Sequence, residues 1–391
     1  MRRALIGLAA ALTLGGAARA ELSSAVRHED HAIPGLAQPA ELIVDRWGIP
    51  HIYAKSARDA FFLQGWNAAR DRLWQIDLWR KRGLGRLSAS LGPAYLAQDR
   101  AARLFLYRGD MVAEWAAYDP QGREAVVAFT AGVNAYVAEV KAGAQPLPVE
   151  FKLTHSQPET WSPEDVLRIR SHALVSNVTS EVARARTVCA GGVAADALRR
   201  KLEPAHKLTV PKGLDPCVVP ADVLKDYVLA TEPVTFGKAA DKSLAQVIEE
   251  RSAEGSNNWV ISAAHSATGR PILANDPHRP VGVPSLRYIA HLDAPGLSII
   301  GAGEPALPGV SFGHNDATAF GITIFYIDQE DLYVYETKGD AYRYMGGLEP
   351  MKVVRETIEV KGEAPREVEL RFTRHGPVVW QDAAHAFAIR T

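Results

Sequence analysis

A serine that follows a glycine at the start of a predicted strand has the clearest chemical potential in this 391-residue chain. The hydroxyl of Ser256 can attack the carbonyl of Gly255, because glycine leaves that carbonyl unobstructed and permits strained backbone geometry. Hydrolysis of the resulting ester would cut the chain and free the amine of Ser256, which could then act as a general base in acyl chemistry. Most glycine–serine pairs are ordinary turns, so the pair alone is weak support for this chemistry.

A hairpin is the element that would have to position this serine. Residues 258–262 and 271–275 are rich in β formers, and turn residues lie between them at 267–270. If Ser262 lies opposite Ile272, counting back along both strands places Ser256 opposite His278. The sequence therefore predicts a histidine that faces the serine, and a register shift of one residue would remove that pairing.

The remaining elements fall into a helical half and a strand-rich half. Short strands are predicted at 41–44 and 51–53. Helices are predicted after Ser56 as far as Gly83 and Gly85, over 124–140 and over 163–185; 204–220 is predicted to be irregular, 238–255 to be a polar connector, and the rest to be strands. Because helices and strands form separate groups, the pattern favours an α+β fold over alternating α/β.

Composition and the N-terminus limit the classes of function. A formal net charge of −1 argues against nucleic acid as a partner, since phosphate binding needs a basic excess. Arg2 and Arg3, the apolar run 4–14 and the small residues at 18–20 are typical of a signal peptide over residues 1–20. That run is too short to span a bilayer, so we expect an exported protein without a membrane anchor.

The chain contains two cysteines, Cys189 and Cys217. In an oxidising compartment they could form one disulfide bond, and the alternative is two unrelated buried thiols. Their spacing is not that of a zinc site.

Several motifs occur in the order that is found in one enzyme family. They are Gln64-Gly65 with Asp71-Arg72-Leu73-Trp74-Gln75, Trp161-Ser162-Pro163-Glu164-Asp165-Val166, Gly255-Ser256-Asn257-Asn258-Trp259-Val260, Leu273-Ala274-Asn275-Asp276-Pro277-His278, Pro308-Gly309-Val310, Phe312-Gly313-His314-Asn315 and Asp331-Leu332-Tyr333. From about residue 40 to its end, the chain resembles the penicillin acylase family of N-terminal-nucleophile hydrolases. This family includes penicillin amidases and acyl-homoserine-lactone acylases.

The resemblance implies a four-layer αββα core built from two chains that are cut from one precursor. Residues 21–235 would form a mostly helical α chain, 236–255 a removed spacer and 256–391 the first part of a strand-rich β chain. The expected product is a periplasmic or secreted heterodimer. Relatives continue for several hundred residues after the cut, so the sequence predicts a core that is incomplete at the C-terminus.

The resemblance also implies the roles of individual residues. Ser256 would be the nucleophile after cleavage at Gly255, and His278 would help to orient its hydroxyl and amine. The backbone N–H of Ile324 matches one oxyanion donor, while the family's second donor, an asparagine side chain, would lie beyond residue 391. The helical stretch before Glu181 commonly contributes to the acyl pocket, which implies substrate contacts around Ser171 and Val175.

A structural calcium site is implied as well. Glu181, Asp328 and Asp331 match the acidic ligands of the family, and oxygen ligands of this kind suit Ca²⁺. No organic cofactor is expected. The implied activity is hydrolysis of the amide in a small N-acylated compound, either a penicillin-type β-lactam or an N-acyl-homoserine lactone, through an acyl-serine intermediate.

Two other interpretations compete with this one. Residues 309–313 fit the Gly-x-Ser-x-Gly pattern of a nucleophile elbow, but that elbow needs a strand before it and a helix after it. The second interpretation is a secreted, non-catalytic binding protein that resembles an acylase. A binding protein would not need the cut before Ser256.

Overall fold

The computed structural model describes residues 28–168, 177–199, 205, 207–237, 246–247, 255–279, 281–324 and 327–391. The chain forms two compact units, Met1–Pro34 and Gly35–Thr391. In the first unit, the described residues 28–34 form neither helix nor strand. The predicted signal peptide lies outside the described residues, as does most of the predicted connector.

In the second unit the α-helices precede most of the strands, as the sequence predicts. The helices of the described residues are α1 (Ala57–Leu84), α2 (Leu87–Leu91), α3 (Leu96–Leu104), α4 (Met111–Ala117), α5 (Pro120–Lys141), α6 (Val149–Leu153), α7 (Pro163–Arg168), α8 (Asn177–Arg199) and α9 (Lys225–Thr231). Among these residues, no helix has both the length and the apolar character that crossing a bilayer requires. The predicted helix over 163–185 was wrong at its C-terminal end, because α8 continues to Arg199.

Helix α1 begins and ends where its capping residues lie. The Ser56 hydroxyl accepts a hydrogen bond from the backbone N–H of Asp59 (3.1 Å), and Gly85 ends the helix in the left-handed conformation (φ 61°). Gly83, predicted to help end the helix, lies inside it. The predicted apolar stripe is buried and consists of Phe62, Trp66, Ala69, Leu73 and Ile76.

Two glycines allow α1 and α5 to pack closely. A Cβ atom at Gly65 would lie 2.0 Å from the Phe129 carbonyl oxygen, and one at Gly132 would lie 1.9 Å from the Phe62 carbonyl oxygen. No side chain fits at either distance, so both positions require glycine. The pair of helices is thereby fixed as one layer.

The strands form two large sheets and one separate hairpin. They are β1 (Glu41–Val44), β2 (Pro50–Tyr53), β3 (Gly255–Ile261), β4 (Ile272–His278), β5 (Tyr288–Ala294), β6 (Leu297–Gly303), β7 (Phe312–His314), β8 (Ala319–Phe320), β9 (Asp331–Lys338), β10 (Ala341–Tyr344), β11 (Gly347–Pro350), β12 (Lys352–Ile358), β13 (Arg366–Thr373), β14 (Gly376–Gln381) and β15 (His385–Arg390). The six-stranded sheet has the order β1-β2-β5-β6-β7-β8, and the seven-stranded sheet has the order β11-β10-β9-β15-β14-β13-β12. Strands β3 and β4 pair only with each other in the described part of the chain.

Each large sheet packs against helices. Helix α1 contacts β2 and β5 of the six-stranded sheet. A second core lies between helices α3, α8 and α9 and strands β13, β14 and β15. Its fully buried large side chains include Tyr227, Leu370, Phe387 and Ile389. The fold therefore has the mixed helix-and-sheet character predicted from the sequence.

The predicted register of the hairpin was wrong by one residue. Gly255 pairs with His278, Ser256 pairs with Pro277, and Ile261 pairs with Ile272. The turn contributes to this register: strand β3 ends at Ile261, and Ser262 begins a short 3₁₀ turn over Ala263–His265 instead of extending the strand.

The two cysteines form a disulfide bond. The Cα atoms of Cys189 and Cys217 lie 5.0 Å apart, and the bond joins α8 to a 3₁₀ turn at Pro216–Val218. This excludes the alternative of two unrelated thiols. The segment 204–220 was predicted to be irregular. In its described part, this 3₁₀ turn is the one helical element.

Candidate active site

The Gly255 carbonyl oxygen receives two hydrogen bonds from side chains. The hydroxyl of Ser256 donates to it at 2.5 Å, and Nη1 of Arg279 donates to it at 3.3 Å. Ser256 is half-buried at the beginning of β3. The predicted nucleophile therefore contacts the carbonyl that it would attack.

His278 ends β4 on the side of Gly255. Its Nε2 lies 3.0 Å from Oδ2 of Asp276 and 3.2 Å from Nδ2 of Asn257. Residues directly opposite each other in an antiparallel pair point to the same face, so His278 shares a face with Gly255, not with Ser256. The predicted facing pair of Ser256 and His278 is thus absent from this register, and the catalytic role of His278 stays a prediction.

Asn275 connects the hairpin to the segment that contains Ile324. Its side-chain amide donates to the backbone carbonyl of Ile322 (2.8 Å) and accepts from the backbone N–H of Ile322 (3.3 Å). A Cβ atom at Gly321 would lie 2.7 Å from Nδ2 of Asn258, so a larger residue there would displace that side chain. The half-buried Ile324 follows two residues after Ile322, and its role as an oxyanion donor stays a prediction.

The connecting role of Asn275 was missed by the sequence analysis. Asparagine is depleted in strands, and its position inside β4 is the signal that could have identified it. Gly321 carried no such signal, because its close neighbours belong to a distant part of the chain.

Three carboxylates lie together, one on α8, one in the loop before β9 and one at the start of β9. One oxygen from each of Glu181, Asp328 and Asp331 lies within 4.8 Å of the others. Burial raises the pKa of Glu181 to about 7, and the charges of Asp328 and Asp331 add to this effect. Like charges held this close favour a bound cation, and a set of carboxylate oxygens suits a hard one such as Ca²⁺. The three residues predicted as ligands therefore fit a calcium ion.

A hydrogen-bond network holds this loop against α8. The Asn177 side chain donates to Oδ1 of Asp328 (2.9 Å) and to the Glu330 backbone carbonyl (2.8 Å). The Glu330 carboxylate is 1% exposed and accepts hydrogen bonds from the Tyr227 hydroxyl at 2.8 and 3.0 Å. The network orients the acidic loop.

Gln64 of α1 fixes the loop that precedes β7. Its side chain donates to the Gly309 carbonyl and accepts from the Gly309 N–H, both at 2.8 Å. Ser311 leads into β7 instead of a helix, so the alternative of a nucleophile elbow was wrong.

The same loop lines a cavity of about 210 Å³ together with α5 and α7. Ser256, His278 and Ile324 are not among its lining residues. The predicted substrate contacts Ser171 and Val175 lie outside the described residues.

The described fold and site define a mixed helix-and-sheet protein in which a serine directly follows the glycine that begins a strand. The sequence model of the penicillin amidase family matches residues 39–391. The chain belongs to the penicillin amidase family.

Named relatives agree with this assignment. The chain is 33% identical over 365 residues to the penicillin acylase 2 proenzyme of Pseudomonas sp. (strain SE83), covering 92% of this chain and 46% of that protein. It is 29% identical over 357 residues to the acyl-homoserine lactone acylase QuiP of Pseudomonas aeruginosa, and this match covers 89% of this chain and 41% of that protein. The match thus spans less than half the length of these two relatives.

Among solved structures, a thermostable penicillin G acylase from Alcaligenes faecalis is similar. It is 27% identical with a TM-score of 0.37, and the match covers 45% of this chain and 97% of that chain.

Proposed function

We propose that this chain belongs to a self-processing amidohydrolase with Ser256 as its nucleophile. The observation that carries the proposal is the contact between the Ser256 hydroxyl and the Gly255 carbonyl at the start of a strand. Membership of the penicillin amidase family supports it, as does the description of one relative as a proenzyme. The alternative, a non-catalytic binding protein, has no use for this contact.

Self-cleavage would begin with attack of Ser256 Oγ on the Gly255 carbonyl carbon. The hydroxyl proton passes to the amide nitrogen of Ser256, the C–N bond breaks, and an ester joins Gly255 to Oγ. Water then hydrolyses the ester, which leaves a carboxylate on Gly255 and a free amine and hydroxyl on Ser256. The freed amine can accept the hydroxyl proton in the next acyl transfer.

Substrate hydrolysis would reuse the same hydroxyl. Oγ attacks the amide carbonyl of an N-acylated compound, the amine leaves, and water releases the acid from the acyl-serine ester. We assign His278 to orienting the nucleophile, with Asp276 fixing its ring through the 3.0 Å contact. The backbone N–H of Ile324 would donate to the developing oxyanion, and the contacts of Asn275 with Ile322 would position that segment.

The substrate class follows from the relatives. Their names specify penicillins and acyl-homoserine lactones, so we infer a small N-acylated compound in which an acyl group is joined through an amide. Ser171 and Val175 would contribute to the acyl pocket. No organic cofactor takes part in this chemistry.

We further infer a stable assembly of two chains after processing. Glu181 lies before the cut, whereas Asp328 and Asp331 lie after it, so a Ca²⁺ ion held by all three would join the two products. The product would be an exported heterodimer with a four-layer αββα core. The net charge of −1 argues against a nucleic acid partner, and we infer no membrane partner.

The decisive experiment is intact-mass analysis with N-terminal sequencing of protein expressed from its natural reading frame. We expect a fragment that begins Ser-Asn-Asn-Trp, and we expect a Ser256→Ala variant to stay uncut. An uncut wild-type chain, or an Ala variant still cut after Gly255, would refute the intramolecular mechanism. Release of the acid from acyl-homoserine lactones and from penicillins would then identify the substrate class.

A further inference from the structure

Arg279 is a second donor to the carbonyl that Ser256 would attack. Its Nη1 lies 3.3 Å from the Gly255 oxygen and 2.6 Å from the carbonyl oxygen of His278. Arg279 follows β4 directly and is half-buried. The bond to His278 ties the guanidinium to its own backbone, which holds it beside Gly255.

The two donors cannot serve the attack in the same way. The Ser256 hydroxyl gives up its proton when Oγ bonds to the carbonyl carbon, so its hydrogen bond to the Gly255 oxygen is lost. The oxygen gains negative charge in that same step. Only the guanidinium can keep donating to it throughout, and a hydrogen bond from a charged donor strengthens as the acceptor becomes anionic.

We propose that Arg279 is a catalytic residue of the self-cleavage step and acts as the oxyanion donor for the Gly255 carbonyl. The proposal rests on the proposed self-cleavage and assigns a role in it that neither Ser256 nor His278 performs. Arg279 remains a guanidinium throughout. As Oγ adds, the carbonyl π electrons move to oxygen; they return when the bond to the Ser256 nitrogen breaks, and that nitrogen takes the hydroxyl proton.

The charge of Arg279 is available for this role. Among the residues that the structure describes, no carboxylate forms an ion pair with Arg279, whereas Arg287 pairs with Glu304 at 3.3 Å. A guanidinium is protonated at all working pH values, so it donates without a proton-transfer step of its own. This separates its role from that of a general acid.

The test compares first-order rates of self-cleavage by intact mass in the wild type, Arg279→Met and Arg279→Lys. Removing one oxyanion donor elsewhere costs on the order of 100-fold in rate, and we expect a loss of this size for Arg279→Met. We expect a smaller loss for Arg279→Lys, because lysine keeps the charge but not the planar fork. Arg270→Met is the matched control: it removes one exposed positive charge from the loop between β3 and β4, and we expect the wild-type rate.

A second measurement separates catalysis from folding. In an Arg279→Ala variant, added guanidinium or methylguanidinium should restore cleavage in a concentration-dependent way, whereas ammonium should not. A normal rate in Arg279→Met, beside a cut wild type and an uncut Ser256→Ala, would overturn the role of Arg279 and leave self-cleavage intact. Slow cleavage without rescue and with a lowered melting temperature would overturn it in favour of a structural role. An uncut wild type would refute self-cleavage itself.

Discussion

Gly255 lies directly opposite His278 in the β3–β4 hairpin, and a Cβ atom on Gly255 would come within 3.3 Å of Nδ1 of the histidine. The residue before the proposed cut is therefore limited in size by the ring that faces it. Ser256 lies opposite Pro277, so its side chain points to the other face of the hairpin. The side chains of His278 and of Ser256 therefore lie on opposite faces of the hairpin.

This contact predicts that a methyl group at position 255 slows self-cleavage. In Gly255→Ala the His278 ring must shift by a few tenths of an ångström, and strain of about 1 kcal/mol corresponds to a loss of rate of about fivefold to tenfold. The measurement is the rate of appearance of the fragment that begins at Ser256. Gly282→Ala is the matched control, because a Cβ there meets nothing within 4 Å. Equal rates for both variants would show that the contact has no effect.

Calcium should stabilise the protein more strongly at high pH than at low pH. The pKa of Glu181 is raised from 4.5 to about 7, so the folded state holds an extra proton between those pH values. Without a cation, that group makes folding less favourable as the pH rises across this window. A calcium ion takes the place of the proton. The increase in the free energy of unfolding on adding calcium should therefore be larger at pH 8 than at pH 5.5.

The calcium prediction is checked by thermal unfolding with Ca²⁺ and with Mg²⁺ at both pH values. At a ligand concentration 100 times the Kd, binding stabilises the folded state by about 2.7 kcal/mol. Asp331→Asn should abolish most of the Ca²⁺ response, and Asp340→Asn, an acidic residue outside the cluster, should not. An increase in the melting temperature that is the same at both pH values would contradict the role of Glu181.

Loss of the Gln64 side chain should destabilise the fold substantially. Gln64 is 3% exposed and makes two 2.8 Å hydrogen bonds to the backbone of Gly309, one to its carbonyl and one from its N–H. Gln64→Ala leaves a part-buried backbone donor and acceptor of Gly309 without these partners, and we expect a loss of about 1–3 kcal/mol in total. Denaturant unfolding measures this directly. The exposed Gln121→Ala should change the free energy of unfolding by less than about 0.5 kcal/mol, and a similar small value for Gln64→Ala would refute the prediction.

Reduction of the Cys189–Cys217 bond should also lower stability. The two residues are separated by 28 positions, and closing a loop of that length stabilises the folded state by about 3.5 kcal/mol in the chain-entropy model. The free energy of unfolding should therefore fall when a reductant is added. A double variant with serine at both positions should be destabilised already and should show no further response to the reductant.

Local patterns in the sequence were enough to predict helices α1 and α5 and strands β1 and β2. The stripe from Phe62 to Ile76 repeats at helical spacing, and the cap at Ser56 marks where α1 begins. The strands β1 and β2 lie within one residue of their predicted positions. Such elements are predictable because their periodicity and caps involve residues that are close together in the chain.

The candidate site was only partly predictable, because resemblance identified its residues but not their contacts. The sequence pointed to Ser256, and to Glu181, Asp328 and Asp331, which the structure brings together. It did not indicate the donation from Arg279 to Gly255 or the bridge from Asn275 to Ile322, which joins residues 47 positions apart.

The sequence by itself determined the long helices α1 and α5, the first two strands and the residue types that lie beside the possible cut. Only the tertiary structure decided the hairpin register. Neighbouring side chains that point to opposite faces, Trp259 and Val260, are 52% and 65% exposed, so neither face of β3 is selected by burial. When no face is buried, the hydrophobic pattern does not specify the register, and the turn that follows Ile261 and the contacts with the distant segment at Gly321 decide it.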